Sequence, residues 1–456
     1  MFGTGRGTNA SAFVKAGRLF YMVQPSTHMF EHIADVPDYI VDAFPFFSAA
    51  IVIEMIISYI KGYQRLKTFY LFTNITSGMM QQAMKKIVTR PLIWVLYCWT
   101  YQNYCLYVLP WNSLLVWFVA FLLADFAHYW FHRASHEINL FWASHQMHHS
   151  SEEMNLTTAL RQSVVQNTIT SLFYVPVALL VPPSLFFLHI QLNTIYQFWV
   201  HTEVIRSLGP LEYILNTASH HRVHHGRNPY CIDKNYGGVL IIWDRMFGTF
   251  AAEDKTVAYG LVGIQMTTSP WLLQFGHFID LFKRAYKMES ISDKFGVFFR
   301  SPGWLSESEK IGLSEDDMKL PEVEHPIVYR DLITDNDTVE ATYVFIHFVI
   351  AVLLFQQFFD IKTGISQAEN YGVLFIIFSS LTVFGYILEK RHFGYHVEFV
   401  RCILILIVDG YLTMGGYVNP VVPRFGMIII RLVYILSSCV LVHLMFNRKK
   451  KTAKLN

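Results

Sequence analysis

The sequence predicts an all-α protein: a polytopic helical membrane bundle carrying a histidine-rich di-metal site at its cytosolic face. Three observations predict it. The 456 residues are 53% hydrophobic and only 15% charged, against about 25% charged in an ordinary soluble domain. Several apolar runs reach the roughly 17–25 residues that span a bilayer as a helix. Finally, three short stretches are crowded with histidine: His132 with His136, His145 with His148 and His149, and His221 with His224 and His225.

Composition removes several classes. A net charge of +2 gives no footprint for nucleic acid. The five cysteines, Cys98, Cys105, Cys231, Cys402 and Cys439, are scattered without a CxxC pair, which argues against a disulfide framework or a thiolate metal site. Residues 1–20 lack the compact apolar core of a signal peptide. No internal repeat or low-complexity tract is present.

Taken in order, residues 1–42 read as a soluble or interfacial segment and 43–60 as the first span. Lys61, Arg65, Lys67, Lys85, Lys86 and Arg90 follow it, while only Arg6, Lys15 and Arg18 precede it. The positive-inside rule therefore puts 61–91 in the cytosol and the N-terminus in the lumen. Residues 92–109 then run in, 110–112 turn, and 114–131 return, delivering His132 to the cytosolic side. A second hairpin repeats the logic: 164–181 runs in, Pro182 and Pro183 break it, and 184–200 comes back to His201. All three histidine stretches should land at one membrane surface.

Residues 43–265 are thus expected to form the membrane-embedded catalytic domain and 266–340 a cytosolic linker, rich in charge and turn residues from 301 to 337. Residues 341–456 should form a C-terminal bundle with apolar runs at 342–359, 371–388, 399–414 and 425–446, the third interrupted by Arg401 and Asp409. Four spans there place Lys390, Arg391 and the basic tail Arg448, Lys449, Lys450 and Lys451 in the cytosol. The tail points to an endoplasmic reticulum protein.

The histidine spacings carry the chemistry. Residues three and four apart share a helical face, so each stretch presents its imidazoles together. Neutral imidazole is the commonest transition-metal ligand. A single HxxxH is more often ordinary packing; eight histidines in three such stretches are too many for one ion and too many to bury without one. Imidazoles without thiolates suit iron, zinc or copper. Two irons could activate dioxygen, whereas zinc has no redox chemistry. Beside a lipid phase, the natural substrate is a C–H bond of a lipid entering laterally between helices.

Neighbouring residues have two readings each. His201, beside Glu203, is either a further ligand or a helix-end histidine. Asp125 shares a stripe with His128, His132 and His136 and could bond the outer nitrogen of a ligand; His128 reads as interfacial packing. Glu137 projects from a neighbouring face, as a pocket carboxylate or a solvated charge. Asp244 is either a residue that orients a ligand or an ordinary loop residue. His220 lies off the face of its neighbours.

The three histidine stretches, in this order, resemble the fatty acid hydroxylase superfamily of membrane di-iron oxygenases, which includes sterol desaturases and lipid hydroxylases. Residues 125–133 (DFAHYWFHR), 155–163 (NLTTALRQS), 197–203 (QFWVHTE), 220–234 (HHRVHHGRNPYCIDK) and 236–250, with Trp243, Asp244, Gly248 and Thr249, narrow the resemblance to its ether-lipid-cleaving, pterin-dependent branch. So does the hydrophobic C-terminal third. The resemblance implies a tetrahydrobiopterin-dependent enzyme that uses O2 to hydroxylate the carbon beside the ether oxygen of alkylglycerols and lyso-alkylglycerophospholipids. It implies His132, His136, His145, His148, His149, His221, His224 and His225 as the catalytic metal set and Glu137 as the pterin-linked carboxylate. His128 stands where that branch has a tyrosine. Two rivals remain: a sterol or fatty acyl hydroxylase fed by cytochrome b5, and a membrane metal transporter. Transporters hold their ligands near the bilayer midplane, whereas these sit at span ends.

Overall fold

A computed structural model describes residues 8–62, 68–262, 267–311, 313–314, 319–320, 338–360, 367–414 and 424–452. Arg65 and Lys67 of the basic segment, and most of 315–337 within the expected linker, lie outside the described residues. The described chain is helical, and its β structure is one isolated antiparallel bridge, Leu215 with Leu240. The all-α membrane bundle expected from the sequence is what forms. Two compact units divide it: residues 1–266 with 274–329, and 267–273 with 330–456.

The first unit begins with a short helix, α1 (Ala12–Gly17), capped by Ser11, and then α2 (Tyr39–Ile60), capped by Asp38. α3 (Thr68–Met84) and α4 (Arg90–Tyr104) follow. α4 stops five residues before the expected limb ends at 109. Ser113 caps α5 (Leu114–Glu137), the long helix of the unit, which ends in His132 and His136. α6 (Asn139–His149) turns back directly and carries the second histidine stretch. α7 (Gln166–Tyr174) gives way to a 3-10 turn over Val175–Leu179, because Pro176 removes a donor there. At nine residues, or roughly 14 Å at 1.5 Å per residue, α7 is too short to cross a bilayer as the 164–181 limb was expected to. α8 (Pro183–Trp199) starts on the Pro182–Pro183 break and ends beside His201. α9 (Ala218–His225) holds the third histidine stretch, and α10 (Ile242–Phe247) ends on Gly248 in the left-handed region. α11 (Pro270–Lys287), α12 (Ile291–Phe299) and α13 (Glu307–Lys310) come next.

The core of this unit is α5 against α8. Val116, Trp117, Ala120 and Ala127 of α5 meet Leu185, Phe186, Leu188, Leu192 and Ile195 of α8, with Tyr97 of α4 stacked on Phe186 at 4.0 Å. Gly78 lets α3 approach the chain before Arg161: a Cβ there would sit 2.9 Å from the Leu160 carbonyl oxygen.

The second unit is built from α14 (Thr338–Asp360), α15 (Gln367–Leu388), α16 (Gly394–Met414) and α17 (Arg424–Thr452). Among the described residues, five stretches are long and apolar enough to cross a membrane: Ile33–Ile60, Leu114–Glu137, Val339–Gln356, Tyr371–Leu388 and Phe425–Met445. α16 is not among them, for a reason visible in its core. Glu398, fully buried, takes both Nη2 (2.6 Å) and Nε (2.7 Å) of Arg401, and Tyr343 of α14 donates to it at 2.6 Å. Arg401 also donates to Ser380 of α15 at 2.8 Å. A buried ion pair survives only when its remaining donors and acceptors are met, and here neighbouring helices meet them.

Candidate metal centre

Helix ends deliver the imidazoles. α5 runs into α6 through Ile138 alone, whose N–H closes α5 on Ala134. That sharp connection folds the end of α6 back beside the end of α5. The α8 C-terminus brings in His201, and α9 closes from the other side. The result is two groups of buried histidines whose donor nitrogens lie within 4.8 Å of one another: His132, His136, His145, His149 and His224 in one, and His148, His201, His221 and His225 in the other.

These are the nine histidines singled out in the sequence, but the partition follows the helical repeat rather than the stretches. Each i, i+4 pair stays together: 132 with 136, 145 with 149, 221 with 225. His148 and His224, one residue before the last histidine of their stretches, cross to the opposite group. Nitrogens bound to one ion at about 2.1 Å stand roughly 3–4 Å apart, so each group is close to the size of one coordination sphere.

The outer nitrogens explain why the inner ones point inward. His132 Nδ1 donates to the Tyr236 carbonyl at 2.8 Å, His148 Nδ1 to that of Arg161 at 3.1 Å, His201 Nδ1 to that of Gln197 at 2.7 Å, and His224 Nδ1 to that of Lys234 at 2.9 Å. A carbonyl only accepts, so in each ring Nδ1 carries the proton and Nε2 is left with a lone pair. His145 Nδ1 lies 3.3 Å from Gln166 Oε1, and His136 Nδ1 lies 3.5 Å from Asp233 Oδ1. None of these partners was marked in the sequence. Backbone carbonyls have no side-chain signature, and Asp233 and Gln166 read as loop and helix-start residues.

The consequence is electrostatic. His148 Nε2 and His201 Nε2 face each other at 3.1 Å, and both are the lone-pair nitrogens. Such a contact repels unless a cation stands between the rings. Protonation is a poor remedy, because burial holds His148, His145, His149, His221, His224 and His225 well below the ordinary imidazole range, and neighbouring imidazoles push most of them further down. Burial lowers His201 to about 4. His136 Nε2 and His224 Nε2 are buried and meet no protein partner. A crowd of neutral, inward-facing nitrogen donors suits metal ions, and an all-nitrogen set suits iron, zinc or copper.

Two carboxylates differ from expectation. Asp125 hydrogen-bonds to no histidine among the described residues. Fully buried, it accepts from Asn193 (2.7 Å), Val239 N (2.8 Å), Leu240 N (3.1 Å) and Trp243 Nε1 (2.9 Å). Asp244 likewise touches none, accepting from Tyr236 N (2.7 Å), Gly237 N (2.8 Å) and Thr249 Oγ1 (2.7 Å). Burial raises its carboxyl above the usual range while those donors pull it down. Both act one step further out, by fixing the 236–241 loop whose Tyr236 carbonyl receives His132. The loop needs glycine: a Cβ on Gly237 would lie 2.5 Å from the Leu240 carbonyl oxygen, and one on Gly238 would lie 2.9 Å from Asp125 Oδ1.

Arg161 does for His148 what the two aspartates do for His132. Fully buried, it gives its carbonyl to His148 Nδ1, while its Nε donates to the Met147 carbonyl and Ser150 Oγ, both at 2.9 Å. Its Nη1 reaches Thr73 and Asn74 of α3. A guanidinium against the last carbonyls of α6 also complements the helix dipole.

Glu137 is half-exposed and accepts from Arg133 Nε at 2.8 Å, next to His136 but outside both groups. His128 also lies outside them, its ring 5.4 Å from that of His132. His220 packs on Phe250.

Residues 117–249 match the fatty acid hydroxylase family, and residues 341–430 match the alkylglycerol monooxygenase C-terminal domain. Fold and site thus define a membrane hydroxylase with a histidine-lined centre. Human alkylglycerol monooxygenase is 41% identical over 409 residues, covering 90% of each chain. The Xenopus tropicalis and Danio rerio enzymes of that name are 41% and 39% identical with the same coverage. The chain belongs to the alkylglycerol monooxygenase family, and it is an oxygenase. No solved structure matches it.

Proposed function

We propose that this protein is a tetrahydrobiopterin-dependent di-iron monooxygenase that hydroxylates the carbon beside the ether oxygen of alkylglycerols and lyso-alkylglycerophospholipids. The observation that carries the metal reading is the facing pair of lone-pair nitrogens on His148 and His201, 3.1 Å apart in a buried site. The substrate class follows from the relatives' name and from a site at the ends of membrane-type helices. Two redox-active ions would supply the dioxygen chemistry that imidazole cannot. The ether oxygen favours that position because its lone pair stabilises a neighbouring carbon radical. The hydroxylated product would be a hemiacetal, which collapses to a fatty aldehyde and a glycerol derivative; the pterin would supply the two electrons that dioxygen also needs.

The chain's own residues do the holding. His132, His136, His145, His149 and His224 would ligate one ion and His148, His201, His221 and His225 the other. Carbonyl acceptors keep four of these rings in one tautomer, so no reorientation is needed on loading. Glu137, exposed beside His136, is placed to accept N–H bonds from a reduced pterin ring without entering either group.

An assay of the purified protein on an alkylglycerol, with and without tetrahydrobiopterin, tests the reading. Turnover should require the pterin. Glu137→Gln should raise the pterin KM strongly while metal content stays at the wild-type level. Loss of metal in step with activity would make Glu137 structural, and full activity with cytochrome b5 and no pterin would overturn the cofactor assignment.

The basic residues after α2 and at the C-terminus support an endoplasmic reticulum protein whose site faces the cytosol. Arg245 is exposed and serves as the probe. A cysteine there should react with a membrane-impermeant maleimide only from the cytosolic side of sealed microsomes; labelling from the lumen would reverse the topology.

A further inference from the structure

α11 and α12 each have two apolar faces, and among the described residues only one of them is packed. The inner faces close a small core: Leu281 and Ala285 of α11, Met288 directly after it and Val297 of α12 meet Ala143 of α6. Polar bonds fix the same joint. Asn139, the first residue of α6, donates from its N–H to the Arg300 carbonyl at 2.9 Å and from Nδ2 to the Val297 carbonyl at 3.0 Å, and its Oδ1 accepts from His277 Nε2 at 2.9 Å. The two helices are therefore fastened to the helix that carries His145, His148 and His149.

The outer faces stand uncovered among the described residues. Ile279, Phe282 and Tyr286 recur at the three- and four-residue spacing of one stripe on α11. Ile291, Phe295 and Phe299 recur at spacing four on α12. All six are exposed, Tyr286 at 88%, Ile291 at 72%, Phe282 at 64% and Phe295 at 62%. The two helices touch beside the stripes, where Phe282 of α11 meets the partly buried Phe298 of α12 edge-on at 5.3 Å, and within the α12 stripe Phe295 stacks on Phe299 at 6.2 Å. Six exposed side chains of this size amount to apolar surface on the order of a few hundred Å2, the range in which such patches are often functional. Along α11 the next sector is charged, with Asp280, Lys283 and Lys287 all exposed. An apolar, largely aromatic stripe bordered by lysines is the pattern of a helix lying in a membrane interface.

The start of the stripe points to the same partner. Trp271, exposed and on the same side of α11 by helical spacing, donates from Nε1 to Thr382 Oγ1 at 2.9 Å. Thr268 donates from Oγ1 to the Gly385 carbonyl at 2.9 Å and from its N–H to Glu389 at 2.7 Å. Thr382 and Gly385 belong to the candidate span Tyr371–Leu388, and Glu389 directly follows it. Residues 267–273, which belong to the second unit, are thus held at the end of a membrane span, the depth at which tryptophan is enriched.

We propose that α11 and α12 form an interfacial platform that lies in the phospholipid surface through Ile279, Phe282, Tyr286, Ile291, Phe295 and Phe299. The platform seats α6, and with it the second histidine stretch, at the level where a single-chain amphiphile presents the junction between its alkyl chain and its head group. That last consequence rests on the ether-lipid reading above; the docking itself does not.

The experiment uses the full-length protein in phosphatidylcholine nanodiscs, one chain per disc, with its reactive cysteines replaced by serine. Nitroxide labels are placed singly at Phe282, Tyr286, Phe295 and, as the aqueous control, Lys283. Collision with oxygen should exceed collision with a water-soluble nickel chelate at the first three sites and fall below it at Lys283. Chelate-dominated collisions at all four sites would put the patch in water and overturn the proposal. Labels immobilised and shielded from both agents would show a protein cover and overturn it equally. The double variant Phe282→Asp, Phe295→Asp should keep its metal content and kcat while its KM for an alkylglycerol in vesicles rises several-fold. An unchanged KM beside lipid-type collisions would leave the platform standing and remove its link to substrate delivery.

Discussion

His145→Ala should abolish turnover and empty one of the two histidine groups, lowering bound metal from about two ions per chain to about one. His145 stands at the centre of its group: its Nε2 lies 3.0 Å from that of His132 and 3.2 Å from that of His149. Removing it opens a gap no neighbouring imidazole can reach, because both partners are held from behind or by their own helix. His225→Ala should empty the other group in the same way, since its Nε2 meets that of His221 at 3.1 Å. Elemental analysis of the two variants separates the sites. If either variant lost both ions, the groups would be one cooperative centre; if either kept both and stayed active, the coordination reading would fail.

The second large effect is expected at a residue that touches neither metal group nor substrate. Asp125→Leu leaves four donors without an acceptor: the Val239 and Leu240 amides, the Trp243 indole and the Asn193 amide. Each buried group left unsatisfied costs about 1–3 kcal/mol, so the metal-free protein should lose about 4 kcal/mol or more. The 236–241 loop should then release the Tyr236 carbonyl, and His132 its fixed tautomer, so metal affinity should fall as well. Denaturant unfolding of the apoprotein in detergent reads the first effect, and competition with a chelator reads the second. An unfolding midpoint equal to wild type would mean that the loop is held by packing and that Asp125 is dispensable.

How much of this was legible beforehand varies with the physics. The two hairpins were drawn from hydropathy, and the convergence of the histidine stretches came from them. The convergence stands even though two limbs do not. α4 ends at Tyr104, and the 164–181 limb is a nine-residue helix and a 3-10 turn. A run of apolar residues reports burial, and burial against α5 and α8 leaves the same composition as burial in lipid. The α11 and α12 segment shows the converse. It falls within residues 266–340, expected to be a cytosolic linker, and only the packed structure separates the face that meets α6 from the face that no described residue covers.

The sequence by itself determined the chemistry available: eight imidazoles at helical spacing with His201 as an open ninth, no thiolates, and apolar helices to carry them. Ligand type and i, i+4 spacing are local properties, fixed by residue identity and the helical repeat. Only the tertiary structure decided how those imidazoles divide. His148 and His224 cross from their own stretches to the opposite group because the orientation of α6 and α9 around α5 sets which ring faces which. It also decided which nitrogen of each ring looks inward. The acceptors that set this are the carbonyls of Arg161, Gln197, Lys234 and Tyr236. Every residue has such a carbonyl, and only the packing of one segment on another selects the ones that matter.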